Sequence, residues 1–470
     1  MSKAIKAAIG YTIGNYLIKG LVFLTIPIFS RLLSTSDYGI YNTYLAYESI
    51  ATFFISLAVF MSLKNAVYDF HERYLSYVSS ILILQIVSFI VALFLATIFG
   101  NYIKIITGMN YAVVVLLLIQ SLGTGVLSVY NAHVGLSYSY KKYIQIAAIN
   151  SIGNICVSLI LILSVFNDQR ALGRIIGTVV PYFFILLYVW QYFFRQARPK
   201  ISRYFWSYAL MFSLPLIPHA ISQVILNQFD RIMISQMVGI SEAGIYSFAY
   251  NILAIILVIM ASVDNVWGPW FYQKMHDGDE KAIKNESSNY IIGMLFLCLV
   301  VLLIAPELIK LLGPKSYWDS VYCVVPLVMA GYFTFLYTIP CQVEYYHKKT
   351  AFIAFGTFLA AAINIVTNYI FITLYGYIAA AYTTFITYML YFLFHYLLAR
   401  WIEGKQLFDT AIIVRCSAVL ITTGVFAILL IQFLVIRYII LILVIACAYI
   451  WGRQYFKFND LKNKWRRNRG

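Results

Sequence analysis

Charge is scarce in this chain: Asp, Glu, Lys and Arg make up 11% of 470 residues, against 62% hydrophobic residues. Such a composition could not stay in water as one globule, which excludes an ordinary soluble enzyme. Long polar connections are missing too. The longest stretch between apolar runs, 267–289, has 23 residues and leaves no room for a soluble catalytic domain. The six cysteines, Cys156, Cys298, Cys323, Cys341, Cys416 and Cys447, lie within or at the edges of apolar runs with no CxxC spacing. They read as packing residues rather than as a redox or zinc framework. Metal-ligand spacings, a Walker phosphate loop and a Ser-His-Asp arrangement are all absent, so the sequence suggests no catalytic residue, no metal and no cofactor. Energy would then come from a proton or sodium gradient, from the substrate gradient, or from another protein. A basic start at Met1–Lys6 before an apolar run resembles a secretory leader, but Lys19 interrupts the run and no small-x-small cleavage site follows. It reads as a retained first helix.

What the chain does have is hydrocarbon-length segments, each about 20 residues, the number needed to cross about 30 Å as a helix. Six fall at 9–29, 39–62, 77–99, 111–133, 143–165 and 173–194, and six more at 209–229, 244–266, 290–312, 321–341, 350–374 and 376–399. A last pair follows at 411–433 and 435–451. Unbroken apolar runs favour helices over barrel strands, which alternate polar with apolar. The expectation is an all-α polytopic membrane protein of about fourteen helices. Basic residues favour the cytoplasmic side. With the N-terminus inside, 24 of the 34 Lys and Arg fall on the inner side and 8 on the outer, with Lys19 and Arg415 inside spans. Both termini are therefore expected to be cytoplasmic. The net charge of +16 is mostly this topological bias plus a basic tail suited to a membrane surface, and no nucleic-acid partner is expected.

The chain also repeats itself. Ser36-Asp37-Tyr38-Gly39-Ile40-Tyr41 returns 205 positions later as Ser241-Glu242-Ala243-Gly244-Ile245-Tyr246. Ala148-Ile149-Asn150 with Asn154 is echoed by Ala362-Ile363-Asn364 with Asn368, and Gly173-Arg174-Ile175 by Gly376-Tyr377-Ile378. Six helices separate the copies, so both halves have one orientation, related by an axis along the membrane normal. The expected organisation is a six-helix lobe at 1–200, a second at 201–400, two additional helices at 401–455 and a basic cytoplasmic tail at 456–470.

Arg31-Leu32-Leu33 leading into the first cassette, Asn227-Gln228-Phe229-Asp230-Arg231 leading into the second, and Trp267-Gly268-Pro269-Trp270 together resemble bacterial polysaccharide flippases of the Wzx (O-antigen translocase) type. These belong to the multidrug/oligosaccharidyl-lipid/polysaccharide (MOP) exporter superfamily. The resemblance implies two MATE-like lobes around a V-shaped cavity. It also implies flipping of undecaprenyl-diphosphate-linked oligosaccharide from the cytoplasmic to the periplasmic leaflet of the bacterial inner membrane, for O-antigen, capsule or exopolysaccharide synthesis. The implied partners are the lipid-linked oligosaccharide, the membrane, a polysaccharide polymerase and a chain-length regulator. Fourteen spans where many relatives have twelve resembles the layout of lipid II flippases, which leaves that substrate open.

A diphosphate-linked glycan crossing hydrocarbon needs cations for its charge and polar or aromatic surfaces for its sugars. Lys19 sits near the middle of the first span and shares a helix face with Thr12 and Asn15. Glu48, in line with Tyr41 and Thr52 on the second, is either an ion carrier or the counter-ion of Lys19. On the seventh, His219, Ser222, Gln223 and Asp230 share a face, and Pro215 and Pro218 should break the helix beside it. Arg231 next to Asp230 would close an outer gate as a salt bridge or contact phosphate directly. Asp264, near the predicted end of the eighth span, reads as an interfacial cap or a gating or ion-coupling group, and Arg415 either snorkels or touches substrate. The asparagine pairs read as interhelical hydrogen bonds, and the deep tyrosines Tyr44, Tyr47 and Tyr250 as stacking surfaces for sugars. A cation-coupled drug exporter should prefer acidic cavity residues, against which Lys19 argues. A glycan polymerase or glycosyltransferase should carry a large catalytic loop, which the chain lacks.

If Lys19 recognises the diphosphate, Lys19→Ala should reduce surface polysaccharide at unchanged protein level, and Lys19→Arg should restore it. Normal export by Lys19→Ala would remove Lys19 from the site.

Overall fold

Apolar runs become long helices in the computed structural model, which describes residues 3–467 and the side chains of all of these but 3–9, 15 and 456–467. In chain order they are α1 (Lys3–Leu32), α2 (Thr35–Ser56), α3 (Tyr74–Ile98), α4 (Tyr111–Leu136), α5 (Tyr140–Ser164), α6 (Arg170–Gln196) and α7 (Ile217–Met237). Then come α8 (Ile240–His276), α9 (Glu280–Leu312), α10 (Val321–Tyr346), α11 (Thr350–Tyr375), α12 (Ile378–Glu403), α13 (Thr410–Leu429) and α14 (Leu434–Arg467). There is no strand among the described residues. The protein is all-α, as its composition requires. Thirteen segments among the described residues are long and apolar enough to cross a membrane. The helix missing from that set is α2, whose tyrosines, Asn42, Thr43, Glu48 and Ser49 dilute its apolar character.

Several boundaries differ from the hydropathy reading. The second span stops at Ser56, because Leu57 and Ala58 take left-handed backbone angles (φ 50° and 49°) before short helices at Val59–Ser62 and Leu63–Phe70. The apparent 23-residue connection is almost entirely helical. Helix α8 runs on to His276 and α9 begins at Glu280, so only three residues link them. Polar residues beyond the hydrocarbon can remain helical because helix formation does not require apolar side chains. At Pro215 and Pro218 the helix is interrupted by a 3₁₀ turn, Leu214–Leu216, between Arg203–Ser213 and α7. Missing N–H donors and ring clashes at proline account for the break.

The described chain separates into two compact units, residues 1–244 and 245–470. The boundary lies well past the 200/201 division expected from the repeat, because α7 packs along α2 and joins the first unit. In that unit α5 also packs on α6, α2 on α4 and α6, and α1 on α5. In the second unit α10 and α12 form the most extensive pairing, flanked by α9 and α11. Helix α14 is pinned to α9 by Arg437, 2% exposed. Its guanidinium donates to both oxygens of Glu307, at 2.9 and 2.5 Å, and to Leu303 O at 2.9 Å.

The first hexapeptide copy meets residues 240–244, where the second begins, inside the first unit. Thr35 Oγ1 lies 2.7 Å from Ser241 Oγ. A Cβ on Gly39 would fall 1.8 Å from Ile240 O, and one on Gly244 would fall 2.0 Å from Thr35 O. Only glycine allows this approach. Asp37 forms a capping box with Ser34 instead, Asp37 N donating to Ser34 Oγ (3.0 Å) and Ser34 N to Asp37 Oδ2 (3.1 Å). Its other oxygen accepts from Ala171 N at 3.3 Å, which fixes the start of α6 against that of α2.

Gly39→Val or Gly244→Val should destabilise the detergent-solubilised protein by about 3 kcal/mol, the upper range for overpacking. Gly20→Ala, where no atom lies within 4 Å, should not lower the unfolding midpoint. Equal midpoints for all three would show that the contact does not matter.

Candidate functional site

One face of α2 carries the polar interior of the first unit. Tyr41, Tyr44, Glu48 and Thr52 recur at helical spacing and point toward α4 and α6. Tyr41 Oη lies 3.1 Å from Thr178 Oγ1, and Tyr44 Oη donates to Gln120 Oε1 at 3.0 Å. Glu48, 7% exposed, accepts from Thr52 Oγ1 (3.0 Å) and Thr124 Oγ1 (2.9 Å). Hydroxyl donors, not a cation, therefore hold this carboxyl. The counter-ion reading is corrected: Lys19 and Glu48 form no ion pair among the described residues. Tyr44 is fully buried and bonded, so it is not a sugar-stacking surface.

A cation that the charge count assigns to the outer side lies in the same unit. Gly173 and Gly177 of α6 face Ile162 and Ser158 of α5, and a Cβ on Gly177 would sit 2.3 Å from Ser158 Oγ. That close packing lets Arg174 Nη1 reach Asn154 Oδ1 (2.5 Å) and Ser158 Oγ (2.6 Å). Its guanidinium carbon stands 3.8 Å from the centre of the Phe29 ring and 4.7 Å from that of Tyr41. Stacking on ring faces attracts a cation without neutralising it. Nη2 and Nε have no protein acceptor among the described residues. A guanidinium held this way presents free donors in the fork geometry that matches phosphate oxygens. The clue in the sequence is the position of Arg174, at the very start of an apolar run.

The remaining expected residues are dispersed. Lys19 and Thr12 are exposed on α1, and the side chain of Asn15 lies outside those described. His219 is half-buried just after the proline break, and its Nδ1 is buried with no hydrogen-bond partner. Gln223 is half-buried one turn on, where its backbone carbonyl accepts from Asn227 Nδ2 at 2.7 Å. Asp230 is fully buried, and Arg231, 6% exposed, donates to Asn227 O (2.6 Å) and Gln228 Oε1 (2.7 Å) of its own helix.

In the second unit Asp264 accepts from Thr338 Oγ1 of α10 at 2.9 Å. It lies inside α8, which extends to His276, so it does not cap the end of that helix. Arg415 is exposed on α13. The asparagine pairs do join helices: Asn154 binds Arg174 of α6, while Asn368 Nδ2 donates to Asn364 Oδ1 at 3.1 Å and its Oδ1 accepts from Thr383 of α12.

Comparison with known proteins places this arrangement in a family. A model of the family described as "Polysaccharide biosynthesis protein" matches residues 4–275, more than half of the chain. A Haemophilus influenzae protein described as "Lsg locus putative protein 1" is 22% identical over 381 residues, covering 77% of this chain and 90% of its own. Among solved structures, lipid II flippase MurJ in its inward closed conformation superposes with a TM-score of 0.75 at 12% identity, over 95% of this chain and 98% of its own. An inward-facing multidrug resistance MATE family transporter of the MOP superfamily gives 0.65 at 14% identity, over 82% and 96%. These structures share the fold. With a family model across more than half its length and thirteen segments among the described residues long and apolar enough to cross a membrane, the chain belongs to the polysaccharide biosynthesis protein family, as a multi-pass membrane protein.

Proposed function

We propose that the protein flips undecaprenyl-diphosphate-linked oligosaccharide from the cytoplasmic to the periplasmic leaflet of the bacterial inner membrane. It would do so by alternating access, with both termini cytoplasmic, in O-antigen, capsule or exopolysaccharide synthesis. The observation that carries this reading is Arg174, a guanidinium inside a spanning unit, stacked on Phe29 and Tyr41 and tethered through one nitrogen to Asn154 and Ser158. Ring stacking and one tethered nitrogen leave most of that charge available to an anion. A diphosphate is such an anion, and its oxygens suit the planar fork. The hydroxyls and amides nearby supply the hydrogen bonds that sugars need.

Lys19, exposed on α1, supplies a second cation in this reading, and Arg231 or Arg415 a further one in other states of the cycle. Glu48, Asp230 and Asp264 remain the groups through which a proton or sodium gradient would couple. Lipid II is the second substrate reading, favoured by the near full-length superposition on a lipid II flippase. The two share a diphosphate and a polyprenyl chain, so the same cation serves both, and substrate supply in the cell separates them.

The test is export in cells. Arg174→Ala should lower surface polysaccharide at least about tenfold, corresponding to about 1.4 kcal/mol of lost recognition, while lipid-linked oligosaccharide accumulates on the inner side. Arg174→Lys keeps charge but loses the stacked fork and should recover only part. Export by Arg174→Ala at the normal rate and protein level would sink the reading. Rescue of a lipid II flippase deletion, with surface polysaccharide untouched by loss of this protein, would move it to the second substrate.

A further inference from the structure

Helices α10 and α12 of the second unit meet at a cluster that spacing alone does not reveal. Glu344 and His395 are both fully buried, with His395 Nδ1 2.5 Å from Glu344 Oε1. Cys341, one turn earlier on α10, is 4% exposed. One donor atom from each of Cys341, Glu344 and His395 lies within 4.8 Å of those of the other two. Glu344 Oε2 and His395 Nε2 are also buried, and neither has a hydrogen-bond partner. The rings of Tyr337 and Tyr391 wall the site, their centres 5.8 and 4.6 Å from that of His395. The Tyr391 hydroxyl is turned away to Thr357 Oγ1 at 2.8 Å.

Each buried polar atom left without a partner costs free energy comparable to a lost hydrogen bond. With the ring proton on Nε2, Nδ1 turns its lone pair toward Glu344, so an imidazole lone pair, a carboxylate oxygen and a sulfur are drawn together in one buried cluster. All three are electron-pair donors. Such a cluster is completed by a cation rather than by another hydrogen-bonding group. Alkali and alkaline-earth ions prefer oxygen, whereas a thiolate with an imidazole selects zinc and its neighbours.

We propose that Cys341, Glu344 and His395 bind a transition-metal ion of the zinc class, which ties α10 to α12 within the second unit. Three protein ligands leave a fourth position for a small additional ligand. On coordination the Cys341 thiol releases its proton to solvent, so loading is weaker at low pH. The site does not depend on what the protein transports, and its test is independent of the flippase reading.

The experiment uses the full chain purified in detergent without chelators from cells grown with zinc. Metal analysis should find about one zinc per chain, and chelation should lower the unfolding midpoint by several degrees, reversed by added ZnCl₂. Cys341→Ser and His395→Gln should each lose the zinc and the ZnCl₂-dependent shift. Should His395→Gln fail to fold, cobalt-loaded wild type decides: it should show thiolate-to-cobalt absorption that is absent from Cys341→Ser. Zinc below about a tenth per chain in the wild type, with no midpoint shift on chelation or addition, would overturn the site. Zinc retained in both variants would overturn it equally, by placing the ion elsewhere.

Discussion

A polar side chain inside a membrane span has only the protein, or a ligand, to bond with, because hydrocarbon offers neither donors nor acceptors. Much of the interior of this protein follows from that constraint. Glu48 is held by Thr52 and Thr124, Asn368 by Asn364 and Thr383, and Arg437 by Glu307 and a backbone carbonyl. Each of these groups has at least one partner on another helix, so the polar contacts also fix which helices are neighbours. Arg174 departs from this pattern, since two of its nitrogens have no protein acceptor among the described residues. Glu344 and His395 depart from it in the second unit, each with one buried atom unmatched.

Helix approach is the other half of the construction. Without a hydrophobic driving force between helices in lipid, close packing depends on small residues at the contact. Gly177 brings α6 down on Ser158, and this proximity gives Arg174 its reach to Asn154. Gly39 and Gly244 do the same for the two repeat copies, whose backbones touch. The repeated hexapeptide is thus a contact surface recognising its own copy.

Architecture is legible in this chain because membrane insertion is read from local composition. Runs of about 20 apolar residues specify the number and order of the helices, and Pro215 and Pro218 mark the break before α7. Hydropathy fails where it is silent. It shortens α8 and α9, whose ends pass beyond the apolar stretch while remaining helical, and it overextends α2, whose end is set by two left-handed residues. Lys19 and Glu48 are each identifiable as polar residues in apolar runs, yet they do not pair, since which residue faces which is decided by helix rotation and packing.

Hydropathy, charge bias and repetition are properties of residues taken a few at a time, and they suffice to specify an all-helical, membrane-spanning, internally repeated chain. They do not say that Arg174 stands between Phe29 and Tyr41 with donors to spare, or that Cys341 and Glu344 meet His395 across a separation of about fifty residues. Those juxtapositions belong to the tertiary structure. They depend on helix crossings that glycine contacts and long-range hydrogen bonds select, and no short-range pattern records them.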